Sequence, residues 1–199
     1  METAARRYHH GDLRRSILDA ALDEISEDGP GTLSLRELAR SVGVSHAAPR
    51  HHFGDKRGLL TAIAVEGFEL LAVELGRAWQ STQSFLEVGV AYVRFALAHR
   101  AHFEVMFRPE LLRDDDPALE AARQATGDLL YGPVATLARA DSGADPRTPA
   151  IAAWSLVHGL ATLWLTHNLP PDIAADPDDL ARAVARHLFM PSGATRARG

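Results

Sequence analysis

The chain lacks cysteine altogether, which excludes disulfide bonds, thiolate nucleophiles and cysteine-ligated metal centres. It also lacks the short motifs of several large enzyme classes, because the sequence contains no Walker A phosphate loop, no G-x-S-x-G and no H-E-x-x-H. Its first residues include arginines but no apolar run of the kind that secretory signal peptides carry. These absences predict a cytoplasmic protein that is not an enzyme and that holds no cofactor.

The ten histidines of the chain raise the alternative of a metal site. His51 and His52 are adjacent in the sequence, and adjacent residues of a helix point in different directions, so the two rings cannot easily share one ion. His99 and His102 have a suitable spacing, but no third ligand lies near them in the sequence. We therefore predict no metal site.

Residues 148–171 contain no acidic residue, lysine or arginine, which raises the alternative of a membrane span. A spanning helix needs about twenty predominantly apolar residues. The apolar part here, residues 151–165, is shorter and carries Ser155, His158 and Gly159 in its middle. This composition predicts no membrane span but a helix that is buried on several sides.

Helical periodicity recurs along the chain, and no stretch alternates as a half-buried strand would. The sequence therefore predicts an all-α fold. Helices are expected over residues 13–26, 56–79, 85–98, 117–140 and 177–190, besides the apolar helix just described and a pair of short helices near residue 40. Residues 103–107 are expected to form a short aromatic turn.

The stretch from Ser34 to Lys56 predicts two short helices joined by a tight turn. The apolar residues of its first half recur at helical spacing, and Ser34 with Glu37 has the pattern of a capping box. Gly43 follows the last apolar residue, where a left-handed backbone favours glycine. Ser45 is expected to cap the second helix. A polar second helix after such a turn is typical of a helix-turn-helix.

Pro49 conflicts with a regular second helix, because proline lacks an N–H and disfavours helical geometry at the preceding residue. A proline in the first turn of a helix sacrifices only one hydrogen bond. We therefore expect the helix to form with a tighter start.

The net charge is −5, but the charges are unevenly distributed. Residues 1–15 carry four arginines against two acids, residues 16–35 carry five acids and no basic residue, and residues 36–58 carry five basic residues against two acids. A positive patch, and not the total charge, marks a nucleic-acid-binding surface. The patch lies on the N-terminal arm and on the second half of the helix pair.

This part of the chain resembles the DNA-binding domain of the TetR (tetracycline-repressor-like) transcriptional regulators. The resemblance rests on residues in the register of the family motif: Val44, Ser45, His52, Phe53, Lys56 and Leu59. Residues 8–14, with the sequence YHHGDLR, and the later Trp154…His158-Gly159 resemble one subgroup of that family. Arg50 departs from the family pattern, which usually has tyrosine at this place.

The resemblance implies a homodimeric regulator that binds double-stranded DNA through residues 1–58 and uses residues 59–199 for effector binding and dimerisation. The predicted DNA-binding residues are Thr32, Ser34, Ser45, His46, Ala47, Arg50, His51 and Lys56. In the family, the lysine that matches Lys56 contacts DNA phosphate, and the dimer interface lies on the last two helices.

Large side chains also cluster away from the helix pair, where aliphatic residues would pack more easily. His158 adds a polar group to this apolar set, as in many ligand pockets. The predicted ligand-binding residues are Tyr92, Phe95, Phe103, Met106, Phe107, Trp154, His158 and Trp164. Together with the family resemblance, these features predict a repressor that a small, largely apolar effector releases from a palindromic operator. The alternative is a small-molecule-binding helical protein without operator binding, which the unusual Arg50 keeps open.

Overall fold

The computed structural model describes residues 10–137, 145, 147–170, 172–173 and 176–189. This part of the chain is helical throughout, with short connections and no strand, which confirms the predicted all-α fold. Residues 1–9 of the basic N-terminal arm and residues 190–199 lie outside the described residues.

Nine α-helices and one 3₁₀ turn occur within the described residues. They are α1 His10–Asp28, α2 Leu35–Ser41, α3 Ala48–Phe53, α4 Lys56–Thr82, α5 Phe85–Ala98, α6 Arg100–Met106, the 3₁₀ turn Pro109–Leu111, α7 Pro117–Leu137, α8 Arg147–Leu165 and α9 Pro177–Phe189. The predicted bounds of α5 are confirmed. The expected aromatic turn at residues 103–107 is wrong, because these residues mostly belong to the helix α6.

Two local caps begin helices at the places that the sequence predicts, residues 56 and 177. Asp55 accepts the backbone N–H of Gly58 at 2.8 Å and so caps α4. Asp176 accepts the N–H groups of Asp178 and Asp179 at 2.8 and 3.1 Å and caps α9. Both carboxylates also lie at the positive end of a helix dipole.

The chain forms two compact units. Within the described residues, the first comprises the chain up to Gly67 together with Arg100–Ala121, and the second comprises Phe68–His99 and the residues from Ala122 onward. The unit that contains α2 and α3 therefore also contains α6 and the segment after it. The division of functions at residue 58, between DNA binding and effector binding with dimerisation, does not coincide with these units and stays a prediction.

The core of the first unit is aliphatic. Helix α1 packs against α2, α3 and α6, and the first turns of α4 also contribute buried side chains. Its fully or nearly fully buried members include Ile17, Leu18, Ile25, Leu38, Leu59, Leu60 and Ile63. Burying one such side chain stabilises a fold by about 1.5–3 kcal/mol, so this small unit has a real core.

In the second unit, α5 packs against both α8 and α9. A Cβ atom at Gly89 would lie 3.2 Å from Val157 Cγ1, so the two helices approach closely at that point. Between α5 and α9, Arg182 donates to the Glu87 carboxylate with both its Nε and its Nη2, at 3.0 and 3.1 Å.

Helix α8 is buried less than expected. By length and composition alone, α8 could cross a membrane, and no other helix among the described residues could. Only 28% of its apolar stretch is buried in the protein. Ile151 and Leu163 are 50% and 44% exposed. The prediction that α8 is buried on several sides is therefore wrong for a single chain, because part of its apolar surface stays exposed.

Candidate nucleic-acid interface and effector site

The turn between α2 and α3 has the geometry that Gly43 predicts. Gly43 has a φ of +73°, and its N–H donates to Arg40 O at 3.1 Å while the Val44 N–H donates to Ala39 O at 2.9 Å. This pair of bonds is a Schellman motif. It ends α2 sharply and directs the chain into the turn before α3.

The predicted capping box at the start of α2 is wrong. Ser34 occupies the N-cap position, but its side chain makes no capping hydrogen bond. Its backbone N–H donates to Glu24 Oε1 of α1 at 3.2 Å and not to the carboxylate of Glu37. Burial of this carboxylate raises the pKa of Glu24. Glu24, ten positions earlier, thus accepts the Ser34 N–H that Glu37 was expected to accept.

The start of α3 also differs from its prediction. The helix begins at Ala48, and Ser45 does not cap it. Instead the Ala48 N–H donates to Ser45 O at 3.0 Å, a one-turn bond that tightens the entry. Pro49 becomes the second helical residue, where its missing N–H leaves no helical bond unmade. The tighter start expected from Pro49 is confirmed, and the earlier start at Ser45 is not.

An open groove of about 470 Å³ lies between the start of α2 and the start of α3. Its walls are formed by Leu35, Arg36, His46, Ala47 and Arg50. Three of the predicted DNA-binding residues therefore meet in one concave surface. Ser45 and His51 are also exposed on this part of the unit.

Arg36 was missed as a site residue by the sequence argument. Its signal was present, since it belongs to the positive charge of residues 36–58. Arg36 lines the same groove as Arg50, fourteen residues later. This position follows from the packing of α2 against α3 and could not be predicted from the sequence.

The remaining predicted DNA-binding residues surround the loop between α1 and α2. Lys56 Nζ donates to Gly31 O at 2.7 Å, and Thr32 Oγ1 donates to Gly29 O at 2.9 Å. The ammonium group of Lys56 has three donors. One of them holds the loop, so the positive charge and the other donors stay available for a phosphate. Thr32 is exposed and Lys56 is half-buried.

The structure brings together three of the predicted ligand-binding residues in the second unit. Tyr92 Oη lies 2.8 Å from His158 Nδ1, and Trp154 Nε1 donates to Tyr92 Oη at 3.2 Å. Tyr92 is fully buried, and burial raises the pKa of its phenol. Burial likewise lowers the pKa of His158, which favours the neutral imidazole. Trp154, Tyr92 and His158 thus form a polar chain within apolar surroundings.

The other predicted ligand-binding residues are divided between the two units. Phe95 is buried in the second unit, with its ring centroid 5.0 Å from that of His99, and Trp164 is half-buried on α8. Phe103, Met106 and Phe107 belong to the first unit, where the Phe103 and Phe107 rings lie 5.3 Å apart.

A small apolar cavity of about 20 Å³ lies among α5, α7, α8 and α9. Phe85, Gly89, Leu130, Trp154 and Val157 are among the residues that line it. Its volume suits about one water molecule, so an effector at this place would have to displace side chains. Trp154 is the one predicted ligand-binding residue in this lining.

Among the described residues, no group of three or more histidine, aspartate or glutamate side chains could hold a metal ion.

Two short helices joined by a tight turn, with exposed basic residues on the second helix, place the protein in the helix-turn-helix class. Residues 17–63 match the family described as "Bacterial regulatory proteins, tetR family". Residues 85–188, more than half of the chain, match "Tetracyclin repressor-like, C-terminal domain". The chain belongs to the TetR family.

Individual relatives agree with this assignment. The tetracycline repressor protein class D of Escherichia coli is 39% identical over 88 residues, which are 42% of this chain and 39% of that protein. The HTH-type transcriptional regulator BetI of Klebsiella pneumoniae is 45% identical over 49 residues, 25% of each chain. This chain therefore spans about two fifths, or less, of the length of these curated relatives.

Solved structures match over most of the chain. A protein of unknown function from Rhodococcus sp. RHA1 is 37% identical, with a TM-score of 0.76, and the match covers 92% of this chain and 97% of that one. A bacterial regulatory protein of the tetR family from Rhodococcus RHA1 has a TM-score of 0.71 at 22% identity, over 89% and 95% of the two chains. The second likeness supports the fold alone.

Proposed function

We propose that the protein is a DNA-binding transcriptional regulator that represses from a palindromic operator and is released by a small, largely apolar effector. The observation that carries this proposal is the exposed basic groove at the start of α3, in a chain of the TetR family. A short helix with Arg50 and His51 exposed on it suits insertion into the major groove of DNA.

Base and phosphate contacts fall to different residues in this proposal. Arg50, His46 and His51 lie on the exposed side of α3 and of the turn before it, where they would meet base edges. Lys56, Thr32 and Ser34 lie around the start of α4 and the loop before α2, where they would meet phosphates. Arg36, in the same groove as Arg50, joins the first set.

The repressor would act as a homodimer through α8 and α9. The support is the apolar surface that a single chain leaves uncovered on α8, including Ile151 and Leu163. Two-fold symmetry of the protein would match the symmetry of a palindromic site.

The effector would bind in the second unit, near the Trp154–Tyr92–His158 chain. Apolar walls with a few placed polar groups are typical of ligand sites, and the small cavity beside Trp154 marks a place where packing is incomplete. Because that cavity is so small, binding would require movement of its walls. A ligand can shift DNA affinity only by its unequal affinity for the two states of the protein.

Selection of binding sequences from random duplex DNA tests the DNA-binding part. We expect a palindromic consensus and an affinity that falls steeply with salt. His46→Ala and His51→Ala should change the preferred sequence. Lys56→Ala should weaken all sequences alike and reduce the salt slope by about 0.9. Arg77→Ala, an exposed arginine of the second unit, is the matched control and should change neither property.

Recovery of no duplex at low salt would exclude operator binding and leave the alternative, a helical small-molecule-binding protein. A compound screen on the protein–DNA complex tests the effector part. Apolar compounds that release DNA from the wild type should lose this effect in Trp154→Ala and keep it in Trp79→Ala, since Trp79 lies on α4.

A further inference from the structure

The segment between α6 and α7 contacts the end of α3 and the start of α4, all within the first unit. The Arg113 guanidinium donates from Nη2 to Asp55 Oδ1 at 2.8 Å, and the same nitrogen lies 3.5 Å from Phe53 O. The Arg113 backbone N–H donates to Thr61 Oγ1 at 3.0 Å, and Arg57 Nη2 donates to Leu112 O. Two consecutive residues of this segment thus engage residues 53–61.

The Arg113 guanidinium lies at the α3–α4 corner, by which we mean Gly54 and Asp55. Gly54 has a φ of +78°, a conformation that turns the chain sharply after α3. A Cβ atom at Gly58 would lie 1.9 Å from Phe53 O and 3.0 Å from the Arg113 guanidinium. Only glycine lets the backbones of α3 and α4 approach this closely.

Asp55 is the point at which the corner and the segment join. Its Oδ1 accepts the Gly58 N–H in the first turn of α4 and a hydrogen bond from Arg113 Nη2 of the segment. The Gly58 bond, followed by the Arg113 bond, lowers the pKa of Asp55. At neutral pH the carboxylate is therefore charged and holds both donors at once.

We propose that Arg113 is a positioning residue for DNA recognition: it holds the α3–α4 corner and so sets the direction in which α3 presents Arg50 and His51. The guanidinium contacts the carbonyl of Phe53 at the end of α3 and the carboxylate of Asp55 that caps α4. It therefore links the two helix ends. Without it, the corner keeps its buried apolar contacts, such as Phe53 and Leu59, but loses the charged contact that limits rotation of α3 about Gly54. Arg113 itself touches no base or phosphate.

This inference rests on the proposed DNA-binding function, and its test includes a measurement without DNA. In Arg113→Ala, the affinity for the selected duplex should fall about 2- to 5-fold, the size of a partly exposed ion pair. Binding to a random duplex should be unchanged, and so should the salt slope. Amide hydrogen exchange over residues 50–58 should become faster in the protein alone.

Asp55→Asn removes the charge but keeps an oxygen that can cap α4, so it should reproduce the effects of Arg113→Ala. The double variant should be no worse than either single variant, because both remove one interaction. Arg113→Lys should recover part of the affinity. Arg108→Ala, which removes an exposed arginine of the same segment, is the control and should match the wild type in every measurement.

A lower salt slope in Arg113→Ala would mean a direct phosphate contact and would overturn the positioning role. Unchanged specific affinity together with unchanged exchange would overturn it as well. If the wild type binds no duplex, the proposed function fails. Hydrogen exchange alone then tests whether Arg113 stabilises the α3–α4 corner. If Arg113→Ala does not fold, Asp55→Asn and Arg113→Lys carry the same comparison.

Discussion

At the scale of single residues, Thr61 shows how a buried polar group is satisfied from two sides. Its side chain is almost fully buried, yet Oγ1 donates to Arg57 O at 2.7 Å and accepts the Arg113 N–H at 3.0 Å. Buried hydroxyl groups in folded proteins are nearly always hydrogen-bonded. Thr61 therefore belongs to the fold because of its oxygen and not only because of its size.

Thr61→Val should lower the free energy of unfolding by about 1–3 kcal/mol, because the Arg113 N–H loses its acceptor in a partly buried place. Urea denaturation measures this change. Thr162→Val is the matched control, since Thr162 is exposed and its hydroxyl bonds one turn back to His158 O. It should change stability by no more than about 0.5 kcal/mol, and equal effects of the two variants would contradict the explanation.

The ion pair of Glu87 with Arg182 predicts a dependence of stability on pH. The hydrogen bond from Arg182, ahead of opposing burial, lowers the pKa of Glu87 below its ordinary value of 4.5. A carboxyl group with a lowered folded-state pKa stabilises the fold above its unfolded-state pKa, and this contribution disappears as the pH falls through the folded-state value.

Glu87→Gln should therefore reduce stability at pH 7 and have little effect in strong acid, below the lowered pKa, so that its penalty fades as the pH falls. Thermal unfolding of the variant and the wild type from pH 7 down to acid measures the difference. Glu69→Gln changes an exposed glutamate of α4 and should show no such fading. A penalty for Glu87→Gln that persists at the lowest pH would refute the role of the charge.

At the scale of the helices, the contact of α4 with α6 depends on a missing side chain. A Cβ atom at Gly67 would lie 2.6 Å from Met106 Sδ, 2.9 Å from Met106 Cγ and 3.1 Å from His102 Cβ. Met106 is almost fully buried in the first unit. Its side chain fills the space that Gly67 leaves open, which is a structural role besides the ligand contact predicted for it.

Gly67→Ala should destabilise the protein by about 1–3 kcal/mol, because a methyl group would overpack this contact. Gly76→Ala on the same helix offers the opposite case, since nothing lies within 4 Å of its added Cβ. It should stabilise by about 0.5–1 kcal/mol through the better helix propensity of alanine. Thermal unfolding of both variants measures the contrast, and a loss of stability in both would point to a cause other than the α6 contact.

At the scale of the whole molecule, α8 leaves an apolar surface that one chain does not cover. Leu163→Asp should place a charge in the proposed dimer interface and yield a monomer in sedimentation at micromolar concentration, because burying an unpaired charge is strongly unfavourable. Val73→Asp is the control, since Val73 of α4 is similarly exposed, at 48%. It should remain dimeric.

A dimeric Leu163→Asp would show that the interface lies elsewhere. A wild type that is monomeric at this concentration would exclude the dimer altogether.

The local signals in the sequence were sufficient for the helices and for several of their ends. Gly43 takes the place predicted for it, and Asp55 and Asp176 cap the helices predicted to begin at residues 56 and 177, because a cap or a left-handed turn depends on residues within about four positions along the chain. Helical periodicity also identified the helices themselves, since side chains three and four positions apart share one side of a helix. The family pattern of residues 44–59 placed the helix-turn-helix itself.

Partners that are distant in the sequence were decided by tertiary structure alone. Glu24, and not Glu37, takes the N–H of Ser34, and Lys56 reaches Gly31 across 25 positions. Arg113 reaches Asp55 across 58 positions. The predicted ligand-binding residues are divided between the two units. Periodicity tells which face of a helix is buried but not which helix covers it, so these contacts follow only from the packing of the whole chain.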